Sequence, residues 1–180
     1  MNDENKIPVR ILLTPAGGVG ILPELRSLVE SKKYDPYIVL ADSNSAVASF
    51  FLPEVHARYH IPQCGDSHYI DSLTKLIERE KIQYHYSGLD EELPVLASNK
   101  DRLINIGCYS LLPDAGPLRS VLDKYAMWEC LRETIRMPTT FLLSEDANRD
   151  YIYRELKGDV MFKATSLRGG RGVNLARTRP

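Results

Sequence analysis

Apolar residues in this chain gather in short runs that alternate with stretches of helical spacing. Val9 to Leu13 is a largely apolar run closed by Thr14-Pro15-Ala16-Gly17-Gly18, which predicts a buried parallel strand entering a tight turn. Leu22, Leu25, Leu28 and Val29 then recur at helical spacing, with Pro23 tolerated in the first turn. Tyr37 to Ala41 predicts the next strand, ending at Asp42, and Tyr59 to Ile61 a short third, stopped by Pro62. Ile70, Leu73, Leu76 and Ile77 mark an amphipathic helix, and Gln83 to Ser87 a fourth strand. Leu93, Leu96, Ala97 and Leu103 predict one more helix after the acidic turn Asp90-Glu91-Glu92. Strands alternating with helices imply an α/β fold, a Rossmann-like parallel sheet covered on both faces.

The pattern breaks at Leu112-Pro113-Asp114-Ala115-Gly116-Pro117, where proline and glycine cluster. A boundary near Pro117 divides a Rossmann-like domain, residues 1–117, from an incomplete α+β lobe, residues 118–180. In that second part a helix is predicted from Leu118 to Glu133, carrying Val121, Leu122, Tyr125 and Trp128 on one side. Pro138 to Leu143 and Val160 to Lys163 read as strands separated by a polar helical stretch, and a further hydrophobic run begins at Val173.

Composition narrows the class. With 180 residues, 43% of them hydrophobic and 26% charged, the chain can bury a core and present an ordinary surface. Its net charge of −1 makes no electrostatic case for nucleic acid or an anionic membrane. Cys64, Cys108 and Cys130 are odd in number and widely spaced, the pattern of reduced thiols and not of disulfides or a zinc site. The polar start Met1-Asn2-Asp3-Glu4-Asn5 lacks an apolar signal region, and no run reaches the roughly 20 residues of a membrane helix. A cytoplasmic location is the expectation.

The candidate chemistry lies in two glycine-rich turns. Gly17, Gly18 and Gly20 stand between a strand and a helix, where free N–H groups attract an anion. Asp42 ends the second strand, about 20 residues on, the place of a ribose-binding acid in dinucleotide-binding folds. The spacing is G-G-x-G and not G-x-G-x-x-G, so a tight turn without a ligand is an equal reading. The second turn, Gly169-Gly170-Arg171-Gly172, follows a strand that ends in Lys163, and Arg168 adjoins it. Glycines that admit backbone N–H groups, together with three cations, suit a polyphosphate; a glycine hairpin is the plainer alternative. No G-K-[ST] follows those glycines, so it is not a Walker A loop. Lys124, alone, reads as a solvated helix lysine. His56 and His60 fall in a strand between prolines and predict no metal site, while His68 and His85 are expected at the surface or a sheet edge. Asp90-Glu91-Glu92 reads as a helix N-terminal cap or as an acidic substrate group.

Taken in order, I-L-L-T-P-A-G-G-V-G, L-A-D-S-N, A-R-Y-H-I-P, D-E-E-L, S-V-L-D-K-Y-A-M-W-E-C-L, M-P-T-T-F and V-M-F-K-A-T-S-L-R-G-G-R-G-V resemble the N-terminal part of a carbamoyl-phosphate-synthase-like ATP-grasp enzyme. The resemblance implies a pre-ATP-grasp domain that helps bind the acceptor, so Gly17, Gly18, Gly20 and Asp42 become candidate substrate residues. It implies that Lys124 and Lys163 contact ATP phosphates, with Arg168, Gly169, Gly170, Arg171 and Gly172 closing over them. It also implies magnesium, and activation of a carboxylate as an acyl phosphate that an amine or other nucleophile attacks. The family usually has proline after the strand lysine, where this chain has Ala164. Its adenine hinge and magnesium ligands are expected beyond Pro180. The stretch from Met1 to Pro180 is therefore expected to be inactive alone and to need the rest of the fold, supplied by a longer chain or by a second chain. The alternatives are a non-catalytic Rossmann-like partner module and, from Gly17, Gly18, Gly20 and Asp42 alone, an NAD-dependent oxidoreductase.

Overall fold

The computed structural model describes residues 6–144, 147–156, 159–167 and 169–177. The chain divides into one compact unit ending at Ala115 and a second beginning at Gly116. In the first unit the strands are β1 (Ile7–Thr14), β2 (Tyr34–Asp42), β3 (Ala57–His60), β4 (Tyr84–Ser87) and β5 (Tyr109–Ser110). They pair in the order β3-β2-β1-β4-β5, and every pair is parallel. The helices are α1 (Ile21–Val29), α2 (Tyr69–Glu80), α3 (Glu92–Ser98) and α4 (Lys100–Asn105). This is the Rossmann-like α/β sheet that the alternation of elements predicts.

Register explains why the C-terminal halves of the central strands are apolar and buried. Leu12 pairs with Val39, and Leu13 with Leu40, so successive residues of β1 and β2 point to opposite faces and both faces are covered. Leu12, Val39 and Ala41 pack with Tyr69, Leu73, Leu76 and Ile77 of α2. Leu13, Ile38 and Leu40 pack with Ile21 and Leu25 of α1 and with Phe50. Each of those large side chains contributes about 1.5–3 kcal/mol by leaving water.

Several elements depart from the sequence expectation. The helix predicted over Leu93 to Leu103 is two, because Asn99 leaves helical geometry and its amide donates back to the Val95 carbonyl oxygen at 2.8 Å. β5 is too short to show in an apolar pattern, yet it takes the edge position beside β4. That placement corrects the surface expectation for His85, which is fully buried.

In the second unit α5 (Ala115–Leu122) spans the division and contains Pro117, and α6 (Lys124–Leu131) follows it. The single helix expected over Leu118 to Glu133 is broken at Asp123. That residue is extended (φ −110°, ψ 119°), and its carboxylate accepts the Tyr125 and Ala126 N–H groups, each at 2.9 Å. α7 is Arg149–Glu155, capped by Asn148, and β6 (Val160–Lys163) pairs antiparallel with β7 (Val173–Ala176). The strand expected over Pro138 to Leu143 does not form. The Pro138 carbonyl oxygen instead accepts the Trp128 Nε1–H and the Thr140 hydroxyl, both at 3.0 Å. Among the described residues no helix is long and apolar enough to cross a membrane. Cys64, Cys108 and Cys130 are unbridged.

Replacing Leu73, which has 0% exposure, by alanine should lower the stability of the first unit by about 3 kcal/mol, read from urea unfolding. Val19→Ala, at a side chain in open solvent, should change it by less than about 0.5 kcal/mol.

Candidate functional site

The strand order reverses between β1 and β4, so the crevice at their C-terminal ends is the switch point where open α/β sheets take ligands. β1 ends in Thr14 and β4 in Ser87, which pair across the sheet. Polar residues finishing two sheet strands need partners when removed from water, and Glu92, at the start of α3, supplies them. Its Oε2 accepts the Thr14 hydroxyl at 2.5 Å and the Ser87 hydroxyl at 2.6 Å. Thr14 has one proton and gives it to Glu92, so its oxygen accepts from His85 Nε2–H at 2.9 Å. His85 Nδ1 then accepts the Ser110 hydroxyl at 2.9 Å. The result is a continuous relay, Ser110–His85–Thr14–Glu92–Ser87, through three strands and one helix.

Burial sets the charge states. It pulls the His85 pKa down from 6.5 to about 4, so the ring is neutral at pH 7. Burial pushes the Glu92 carboxyl up, against the hydroxyl donors of Ser87 and Thr14 that favour its charged form. The Tyr69 hydroxyl faces the same carboxyl without a hydrogen bond of ordinary geometry, and burial raises it too. Of the acidic run, Glu92 is thus a buried linchpin. Strand-end polarity at Thr14 and Ser87 is the sequence signal that could have revealed the cluster.

Gly17, Gly18, Gly20 and Asp42 meet at the lip of this crevice. Both Asp42 oxygens are occupied by backbone: Oδ2 accepts Gly17 N–H at 2.7 Å and Oδ1 accepts Asn44 N–H at 2.7 Å. A Cβ on Gly17 would lie 2.9 Å from Val47 Cγ1 and 3.2 Å from Asp42 Oδ2. Glycine is therefore required there for close packing of the chain on itself. Glu24 stands beside Gly20, where a Cβ would meet its Oε1 at 2.9 Å. Burial raises the Glu24 carboxyl, while the Tyr86 hydroxyl bonded to it lowers it. Glu24 thus brings a second carboxyl beside Asp42 at the lip, held toward its neutral form by burial.

The second set of predicted residues gathers on the β6–β7 hairpin. Lys163 pairs with Val173, and Gly169, Gly170 and Gly172 all have positive φ (62°, 75° and 67°). Gly172 is the constrained one, since a Cβ would also press on Ala164 Cβ at 2.9 Å. Lys124 joins this set through space: its N–H donates to the Thr165 carbonyl oxygen at 2.9 Å, and its ammonium to the same oxygen at 3.3 Å and to the Leu167 carbonyl oxygen. Arg171 is exposed beside the turn, and Arg168 lies outside the described residues. The turn offers open backbone with cationic side chains around it, as phosphate requires. Among the described residues no group of His, Cys, Asp and Glu could hold a metal ion.

Two outcomes follow for the first unit. Asp42→Ala should lower its stability by about 2 kcal/mol in the absence of any ligand, because two backbone donors lose their acceptor. The depressed His85 pKa means the unfolded chain binds a proton between pH 6.5 and about 4 that the folded chain does not, so stability falls as pH drops through that window. Glu92, raised in the folded state, contributes with the opposite sign: its contribution is present below the unfolded value of 4.5 and lost as pH rises through its folded one. His85→Gln should flatten the acid limb of the stability–pH curve measured by denaturant unfolding; an unchanged limb would contradict the buried neutral ring.

Residues 23–111 match the family model described as PylC-like, N-terminal domain. No curated protein matches the chain. Among solved structures it is similar to Rhizobium etli pyruvate carboxylase, with 15% identity and a TM-score of 0.63, covering 97% of this chain and 16% of that one. It is similar to the biotin carboxylase domain of Hydrogenobacter thermophilus 2-oxoglutarate carboxylase, solved with MgADP, ADP and bicarbonate, at 15% identity and TM-score 0.63, over 93% of this chain and 37% of that one. Campylobacter jejuni biotin carboxylase gives 15% and 0.63, over 94% and 38%. The chain thus spans well under two thirds of each relative's length, and at such identity the likeness shows the fold alone. The family match runs from α1 to the residue after β5, so the likeness to the PylC-like N-terminal domain lies within the first unit, whose parallel order β3-β2-β1-β4-β5 is that of a Rossmann-like α/β fold.

Proposed function

We propose that this chain is the N-terminal portion of a carbamoyl-phosphate-synthase-like ATP-grasp ligase. In this reading Lys124, Lys163, Arg171 and the Gly169–Gly172 turn bind the ATP phosphates. Arg168 is assigned there from the sequence alone. The reaction transfers the terminal phosphoryl group to a substrate carboxylate, releasing ADP, and an amine or other nucleophile then displaces phosphate from the acyl phosphate. Magnesium, when bound, offsets charge on the transferring group, and its ligands belong to parts of the fold outside these residues.

The observation that carries the reading is the hairpin itself. Three left-handed glycines lie beside a strand-end lysine, with a second lysine brought to the turn from α6. The MgADP held by the Hydrogenobacter relative supports the same nucleotide at family level. In the first unit, Gly17, Gly18, Gly20 and Asp42 shape a crevice for the acceptor. The neighbouring Glu24 carboxyl makes that lip suited to an amine more than to a phosphate. The same acid beside Gly20, and the occupied Asp42 oxygens, weigh against NAD at this turn. A non-catalytic partner module is the second reading, favoured by the exposed Met161, Val173 and Leu175 on the hairpin.

Titration calorimetry should detect weak binding of MgATP and none of NAD. Lys163→Ala should weaken MgATP about tenfold, the loss of one charge-assisted contact. Saturable NAD binding, or MgATP affinity indifferent to Lys163, would overturn the assignment. Absent MgATP binding with self-association or capture of a defined second chain would favour the partner module.

A further inference from the structure

The glycine turn is held at its base by residues from a distant part of the same unit. Three bonds join the start of α6 to the segment that follows β6. They are Lys124 N–H to the Thr165 carbonyl oxygen at 2.9 Å, the Lys124 ammonium to that oxygen at 3.3 Å, and the ammonium to the Leu167 carbonyl oxygen. The adjacent Asp123 carboxylate caps α6 and also faces the Thr165 hydroxyl. Above this base the turn closes on itself through Ala164 N–H to the Gly172 carbonyl oxygen at 3.0 Å and Val173 N–H to the Gly170 carbonyl oxygen at 3.3 Å.

An ammonium has three donors, and among the described residues two carbonyl oxygens accept from this one. Carbonyl oxygens are neutral acceptors, whereas a phosphate oxygen carries charge and makes a bond roughly twice as strong. A polyphosphate reaching this lysine would therefore compete successfully for it. Among the described residues Lys163 lacks this arrangement: it ends β6 with an exposed side chain and pairs with Val173.

We infer that Lys124, positioned by Asp123, is a displaceable latch: without nucleotide it ties the base of the glycine turn to α6, and a phosphate group takes over its ammonium and releases the Thr165 and Leu167 carbonyls. The phosphate half of this statement rests on the proposed ATP site. The latch half rests on the bonds above and is testable without any ligand.

Hydrogen exchange of residues 164–173, followed by mass spectrometry on the whole chain without ligand, separates the two. Lys124→Met should speed exchange there roughly fivefold, the effect of losing the ammonium's contacts. Lys124→Arg, which keeps donors at that position, should restore most of the protection, and Lys163→Met should leave the rate unchanged. Exchange in Lys124→Met no faster than in the unaltered chain, or equal acceleration in Lys163→Met, overturns the latch. MgATP affinity of the same variants reads the other half. If Lys124→Met loosens the turn but binds MgATP as before, the latch stands and the lysine's phosphate role falls. If it weakens binding without loosening the turn, the phosphate role stands and the latch falls.

Discussion

One hydroxyl group joins the halves of the first unit. Thr14 finishes the central strand in a buried position, and its oxygen stands between the His85 ring and the Glu92 carboxyl. Leaving any of these groups unpaired would cost the full desolvation penalty of a buried polar atom, about 1–3 kcal/mol and more for a charge. The relay therefore fixes the register of β1 against β4 and the angle at which α3 leaves the sheet. It also decides the shape of the crevice floor, because Thr14 and Ser87 are the last residues of the two strands that flank the switch point.

The two glycine-rich turns look alike as letters and differ in physics. Around Gly17, glycine is needed because neighbouring atoms leave no space for a Cβ, and its N–H is bonded to Asp42. Around Gly169 and Gly170, a Cβ would meet nothing, and glycine is favoured by backbone conformation. The first turn is a finished piece of architecture, closed by its own bond to Asp42. The second is open backbone tied down at its base and flanked by cations. This contrast is why the proposed nucleotide site is assigned to the second unit and the proposed acceptor site to the crevice of the first.

Much of the first unit was legible because parallel strands buried on both faces produce short apolar runs, and the run from Val9 to Leu13 could be nothing else in that setting. The helix breaks at Asn99 and Asp123 were not, since both depend on one side chain bonding to backbone against an otherwise continuous helical spacing. β5 was invisible because two residues carry no periodicity, and with β5 beside β4 His85 lies buried inside the sheet and not at its surface or edge. Pro138 to Leu143 had the composition of a strand without a neighbour to pair with among the described residues. At the candidate sites the glycines, Asp42 and both lysines were readable as types. That Asp42 serves the backbone, and that Lys124 reaches the turn at all, are facts of tertiary geometry.

The central claim is that nucleotide phosphate is bound by the β6–β7 turn and not at the switch point. Titrating MgATP into the nitrogen-labelled chain and following amide resonances tests it directly. The account predicts progressive shifts at Lys124, Lys163, Gly169, Gly170 and Gly172, with Gly17, Gly18 and Gly20 unmoved. Shifts centred on Gly17 to Gly20 and Asp42, with the β6–β7 turn silent, would contradict it.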